Sequence, residues 1–142
     1  MKKIYLNYSS KDRHLVDKCI PHLKSLGELW SVDNLNAGDI IDKTITKKWN
    51  ESDFVLEFIS SDFIYEPCFD IEPNNKLLIG IYLRPCSFED VEGRWECVLP
   101  FDALNSSTDF DSSLNEIIKY LKDNINSIDT EFRLKNYLNE NV

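Results

Sequence analysis

Short apolar runs alternate with amphipathic helical stretches along this chain, and no other feature of the sequence constrains its fold as strongly. Ile4-Tyr5-Leu6-Asn7-Tyr8 is a compact strand-like run, closed by the polar Ser9-Ser10-Lys11-Asp12. Leu15, Val16, Cys19, Ile20 and Leu23 then fall on one stripe of a helix. Pro21 stands inside that stripe and predicts a kink or a restart, because it has no N–H and its ring crowds the preceding turn. Gly27 is a natural C-terminal stop. Glu28-Leu29-Trp30-Ser31-Val32 reads as a second strand and 33–39 as a loop, and Ile41, Ile45 and Trp49 at four-residue spacing make a second helix. Residues 54–59 and 77–83 form the third and fourth strands, and Cys97-Val98-Leu99 a short fifth. Asp111 or Ser112 then caps a helix carrying Leu114, Ile117, Ile118, Leu121 and Ile125, followed by a separate helical stretch over 129–138.

This order predicts an α/β fold: a central parallel sheet of about five strands with helices on both faces. Ligands of such sheets gather at the carboxyl ends of the strands, where the connections change direction. Function is therefore to be sought after Tyr8, Val32, Ile59 and Leu83. The 142 residues suit one domain, here read as 1–128 with a C-terminal helical tail or connector over 129–142.

Composition excludes several classes of partner. Sixteen Lys and Arg against 25 Asp and Glu give a formal charge of −9, which repels phosphate backbones and anionic lipid, so neither nucleic acid nor membrane is expected. No apolar run approaches the roughly 20 residues of a membrane span. The N-terminus turns polar too early for a signal-peptide core, so a cytoplasmic location is expected. Cys19, Cys68, Cys86 and Cys97 include no close pair, and His14 and His22 have no cysteine placed to complete a metal site. Reduced thiols and no metal are the expectation.

The loops also exclude familiar chemistries. A response-regulator receiver needs an acidic cluster after the first strand and an Asp after the third, where this chain has Asn7-Tyr8-Ser9 and Ser60-Ser61. With Gly27, Gly38, Gly80 and Gly93 as its only glycines, the chain has neither a dinucleotide fingerprint nor a Walker loop. There is no nucleophile elbow, and both histidines lie on the first helix.

Three segments carry a different pattern. Asn7-Tyr8-Ser9-Ser10-Lys11-Asp12 resembles a "hydrophobic–Ser–Tyr–Ser–x–x–Asp" opening, with Asn7 in place of Ser. Asp33-Asn34-Leu35-Asn36-Ala37-Gly38-Asp39 resembles a loop of Asp, two or three residues, Leu, any residue, Pro or Ala, then Gly. The run from Ser60-Ser61-Asp62-Phe63 to Tyr65, Cys68 and Glu72 resembles a "Ser-x-x-Phe-Leu…Trp/Tyr-Cys…Glu" box. In this order they resemble the TIR (Toll/interleukin-1 receptor) domain family, in its bacterial branch, over residues 2–125. Pro21-His22-Leu23-Lys24, Arg84-Pro85-Cys86 and Leu99-Pro100 match habits of bacterial members.

The resemblance implies a flavodoxin-like three-layer fold and one of two roles. Some TIR domains cleave NAD at the nicotinamide–ribose bond, by hydrolysis or cyclisation, as antiviral or stress effectors switched on by oligomerisation. Others are non-catalytic interaction and signalling modules. By motif position Glu72 matches the catalytic glutamate, and Tyr8 and Ser9 the strand edge bordering the nucleotide. Asp33 and Gly38 lie in the loop that gates the pocket and pairs with neighbouring TIR domains, and Trp30 and Phe69 are candidates to stack on a base. NAD enters as substrate, with no cofactor. The implied partners are further TIR copies and a sensor domain or partner protein. One carboxylate suits this chemistry, because it stabilises an oxocarbenium-like state while nicotinamide leaves without a strong acid.

Two departures from the pattern carry expectations of their own. Pro73 follows Glu72 at once, so the third helix is shortened. Glu57 interrupts an apolar strand, where an unpaired charge costs several kcal/mol. It is expected either to pair with a cation such as Arg84 or to face a sheet surface left bare by the short helix and covered by a partner.

Overall fold

The structure, a computed structural model, describes residues 1–65 and 75–140. The apolar runs become β1 (Lys3–Asn7), β2 (Glu28–Trp30), β3 (Phe54–Ile59), β4 (Leu78–Tyr82) and β5 (Cys97–Leu99). The helices are α1 (Arg13–Leu23), α2 (Ile41–Glu51), α3 (Ser61–Ile64) and α4 (Phe110–Glu140). All five strands are parallel, in the order β2-β1-β3-β4-β5. The chain leaves β1 toward β2 on one side and returns to build β3 on the other, which puts a topological switch point between the carboxyl ends of β1 and β3.

Period-two alternation divides the strands between two apolar layers. Ile4, Leu6, Leu56 and Phe58 face Leu15, Val16, Cys19 and Leu23 of α1 and Leu114, Ile117, Leu121 and Ile125 of α4. Tyr5, Val55, Ile59 and Leu78 face Trp49 of α2, Phe63 of α3 and Trp95. The expected α/β class is therefore observed, with helices on both faces of a parallel sheet.

Three expectations are corrected. Pro21 does not restart the first helix: α1 runs through it to Leu23, then tightens into a 3-10 turn over Lys24–Leu26. Pro21 stands in the last turn, and the Asp17 carbonyl it leaves without a helical donor belongs to an exposed residue, within reach of water. The two expected C-terminal helices are a single 31-residue helix, and the boundary drawn at 128/129 falls inside it. Ile128 and Phe132 continue the stripe that packs on the core, and Lys135 pairs with Glu96. Leu134, Tyr137 and Leu138 on this last part of the helix are exposed.

The third correction concerns Glu57. Its carboxylate is fully buried and pairs with Arg94, not Arg84. Arg94 Nε and Nη2 donate to it at 2.7 and 2.8 Å, Trp95 Nε1 at 3.0 Å and Asn7 Nδ2 at 2.8 Å. Asn7, Glu57 and Gly80 share one row across the sheet. Trp95 lies over Gly80, where an added Cβ would stand 3.2 Å from its Cγ. The 3-10 segment Glu89–Arg94 and Trp95 thus cover this part of the sheet from within the chain. Val55, Glu57 and Ile59 are each 0% exposed, so the face expected to be bare is dry without a partner.

Candidate functional site

The carboxyl edge of the sheet is built on three serines, one at the exit of each of β1, β2 and β3. Ser9 Oγ accepts from the Lys11 amide at 3.2 Å, and Ser60 Oγ from the Phe63 amide at 3.1 Å, each capping the turn that follows its strand. The Ser31 amide donates to Asn34 Oδ1 at 2.9 Å and its carbonyl accepts from the Asn34 amide at 2.9 Å, closing the 3-10 turn Val32–Asn34. All three serines are buried. These caps end β1 at Asn7 and β2 at Trp30, one and two residues earlier than the apolar runs suggest.

Tyr8, the first residue past β1, ties the first two exits together. Its ring packs edge-on against Phe58 at 6.1 Å, on the α1/α4 side of the sheet. Its hydroxyl lies 3.1 Å from Ser31 Oγ and donates to the Asp33 carboxylate, which Arg13 approaches at 3.6 Å. Burial, and then the hydrogen bond given to Asp33, push the Tyr8 hydroxyl up to about 12.

A second cluster joins β1, β3 and β4. Asp12 is fully buried; its Oδ2 accepts from the Ser60 hydroxyl and its Oδ1 lies 2.6 Å from Arg84 Nε. The same guanidinium donates to Asp62, which Lys11 also approaches at 3.6 Å. The bond from Arg84, ahead of the neighbouring positive charges, holds the Asp62 carboxyl below the usual carboxylate range. Burial alone would lower the Arg84 guanidinium, and its bonds to Asp62 and Asp12 more than reverse that effect.

The residues singled out from the sequence divide accordingly. Tyr8 and Asp33 meet at the carboxyl edge, and Ser9, the next residue after Tyr8, caps the turn that follows it. Gly38 lies in the exposed loop after β2 with φ +93°, inside a turn closed by Asn36 and Asp39, a conformation that favours glycine. Trp30 is not brought to Tyr8: it packs on Tyr5 at 5.3 Å, on the opposite, α2 side of the sheet. Phe69 and Glu72, with Cys68, lie outside the described residues, as does the segment on which the helix shortening was expected. Cys19, Cys86 and Cys97 are free thiols. Among the described residues no three His, Cys, Asp or Glu side chains converge as a metal site, and no helix is long and apolar enough to cross a membrane.

Asp12, Ser60 and Asp62 were named only within motif segments, and Arg84 only as a candidate partner for Glu57 and in a short motif match; none was given a part in the site. Asp12 closes the opening motif and Arg84 directly follows the fourth apolar run, so both stand at strand exits that the parallel-sheet rule marks. Their pairing joins segments far apart in sequence and leaves no local spacing to read.

No protein-family model matches the chain. The chain is similar to the uncharacterized protein y4lF of Sinorhizobium fredii (strain NBRC 101917 / NGR234), 30% identical over 121 residues, covering 75% of this chain and 35% of that protein. It thus spans about a third of the length of the curated relative it matches.

Proposed function

We propose that this chain is a flavodoxin-like TIR domain of the bacterial type that cleaves NAD at the nicotinamide–ribose bond, with Glu72 as the essential carboxylate. The observation that carries the reading is the bond from Tyr8 to Asp33 at the carboxyl edge of a parallel 2-1-3-4-5 sheet, beside its switch point, where doubly wound sheets take nucleotide ligands. The Tyr8–Asp33 bond ties the loop after β2 to that edge, which supports its role as the wall and gate of a pocket. Bond cleavage needs no metal in this reading: the carboxylate stabilises the developing positive charge on the ribose while nicotinamide departs. Activation by self-association, a cytoplasmic setting and a part in anti-phage defence or stress signalling belong to the same proposal.

One observation favours a non-catalytic interaction module instead. Val32, Ile40 and Ile41 are 42%, 66% and 60% exposed, so the loop after β2 presents apolar side chains suited to contact with another TIR copy. The test is nicotinamide release from NAD by concentrated and artificially clustered protein, wild type beside Glu72→Gln. The enzyme reading expects release by the wild type that the variant abolishes. Silence from clustered, folded wild type would leave the interaction module as the better account.

A further inference from the structure

α4 changes its apolar face near its end. From Leu114 to Phe132 its apolar side chains pack on the core along one stripe. At about 100° per residue, Leu134 stands roughly 200° round from Phe132, with Tyr137 and Leu138 about 60° and 40° to either side of it. This second face turns away from the core: Leu134, Tyr137 and Leu138 are 55%, 63% and 52% exposed. Their i, i+3, i+4 spacing is that of a surface which meets another helix. The remaining residues of 133–140 are charged or amides: Arg133, Lys135, Asn136, Asn139 and Glu140. A helix end in water gains little stability of its own, and most of it comes from packing an amphipathic face.

We infer that this face binds the same face of a second copy of the chain, the two α4 ends lying antiparallel about a two-fold axis between residues 136 and 137. Charge complementarity selects this occupant. At about 1.5 Å of rise per residue, that axis sets Leu134 beside the second copy's Leu138, Tyr137 against Tyr137, and Arg133 level with Glu140. Arg133 and Glu140 lie about 100° and 80° round from Phe132, on the same flank of the apolar face, and the two-fold axis keeps that flank on one side of the pair. Two opposite-charge contacts therefore form, one at each end. A parallel pair in register would set Arg133 on Arg133 and Glu140 on Glu140. Arg133 holds Asp129 through Nε at 3.0 Å, and its side chain is 74% exposed, so the guanidinium stays accessible to the second copy. Three apolar side chains from each copy fall short of the roughly 20–30 residues a side of a standard interface, so the pairing is weak and forms where copies are concentrated. It does not depend on the NAD-cleaving reading.

Sedimentation equilibrium of the full chain, from about 10 μM to about 1 mM, reads a dimer of this strength. Wild type is compared with Leu134→Ser combined with Leu138→Ser, with Arg133→Glu, with Glu140→Arg, and with an equimolar mixture of the two charge variants. All four positions are exposed, so urea midpoints should stay at the wild-type value and separate lost association from lost fold. Wild type should shift from monomer toward dimer across the range, and the double serine variant should stay monomeric. Each charge reversal alone makes both contacts repulsive and should weaken dimerisation about tenfold. The mixture should recover wild-type strength, because each copy then supplies the charge the other lacks. Wild type that stays monomeric at about 1 mM overturns the inference. Dimerisation undiminished by the serine pair also overturns it and moves the contact to another surface, such as Val32, Ile40 and Ile41. A mixture no stronger than either variant alone overturns the antiparallel pairing.

Discussion

Replacing Arg94 by Met should be among the most damaging single changes outside the apolar layers. The Glu57 carboxylate is 0% exposed and the Arg94 side chain 13%, so the pair is not a screened surface contact of the kind whose median worth is about 0–1 kcal/mol. Arg94 gives the carboxylate two hydrogen bonds, and Trp95 and Asn7 give it one each. Met retains most of the aliphatic packing and removes the charge, leaving a buried carboxylate served by neutral donors. Breaking a buried pair from one side costs about 3–5 kcal/mol, which at a urea m-value of about 2 kcal/mol/M lowers the unfolding midpoint by roughly 1.5–2.5 M. The assay is urea unfolding followed by tryptophan fluorescence, with Trp95 itself in the cluster. Glu57→Gln combined with Arg94→Met removes the uncompensated charge, so the double variant should be more stable than Arg94→Met alone, with a coupling energy of about 2 kcal/mol. A midpoint shift below about 0.3 M in Arg94→Met, equivalent to about 0.6 kcal/mol, would refute the reasoning.

Gly80→Ala should lower stability by about 1–3 kcal/mol, because its methyl would stand 2.6 Å from Ile59 Cδ1 and 3.2 Å from Trp95 Cγ and Val98 Cγ2 in a packed layer; thermal melting reads the loss. Tyr8→Phe should loosen the start of the loop after β2, seen as faster amide exchange over 31–34 with β1 protection unchanged, since the hydroxyl that binds Ser31 and Asp33 is gone. The Tyr8 hydroxyl is raised from 10.0 to about 12, so the folded state holds its proton more tightly than the unfolded chain. Its contribution is complete below the unfolded value and is lost as pH rises through the folded one, so wild-type stability should fall between about pH 10 and 12. In Tyr8→Phe that part of the alkaline decline should be absent from urea midpoints measured across the window.

Where the sequence was legible, a local pattern met a burial requirement. The five apolar runs became the five strands because a parallel sheet covered on both faces needs near-continuous apolar segments. The i, i+1, i+4 stripe of α1 became its buried face. Tyr8, Ser9 and Asp33 reached one edge because strand exits in such a sheet share an edge. Trp30 shows the limit of that argument: it lies at a strand end, but the pleat turns it to the face opposite Tyr8. The single α4 was hidden as well, since the stretch read as beginning at Asp129 instead continues the same helix, with Asp129 and Arg133 forming an i,i+4 pair within it.

Pairing at long range was the least legible part. Glu57 announced that a cation or a covering partner must reach it, and Arg84, at the end of the next strand-like run, was the cation the strand order offered. The pleat decides otherwise. Asn7, Glu57 and Gly80 form one row across the sheet, and the missing side chain at Gly80 makes room for Trp95, which carries Arg94 in beside it. Arg84, past the end of β4, turns instead to Asp12 and Asp62. Nothing in local spacing distinguishes these two arginines; the register of three strands does.

Amide hydrogen exchange of the Glu72→Gln protein with and without NAD tests most directly whether the carboxyl edge is the functional face, since the variant should bind the dinucleotide without consuming it. The account predicts slowed exchange at Tyr8, Ser9 and residues 31–34, with the amino edge unchanged. Protection confined to the amino-edge groove of about 350 Å³ lined by Asn50, Lys76 and Arg133, or no protection anywhere at saturating NAD, would contradict it.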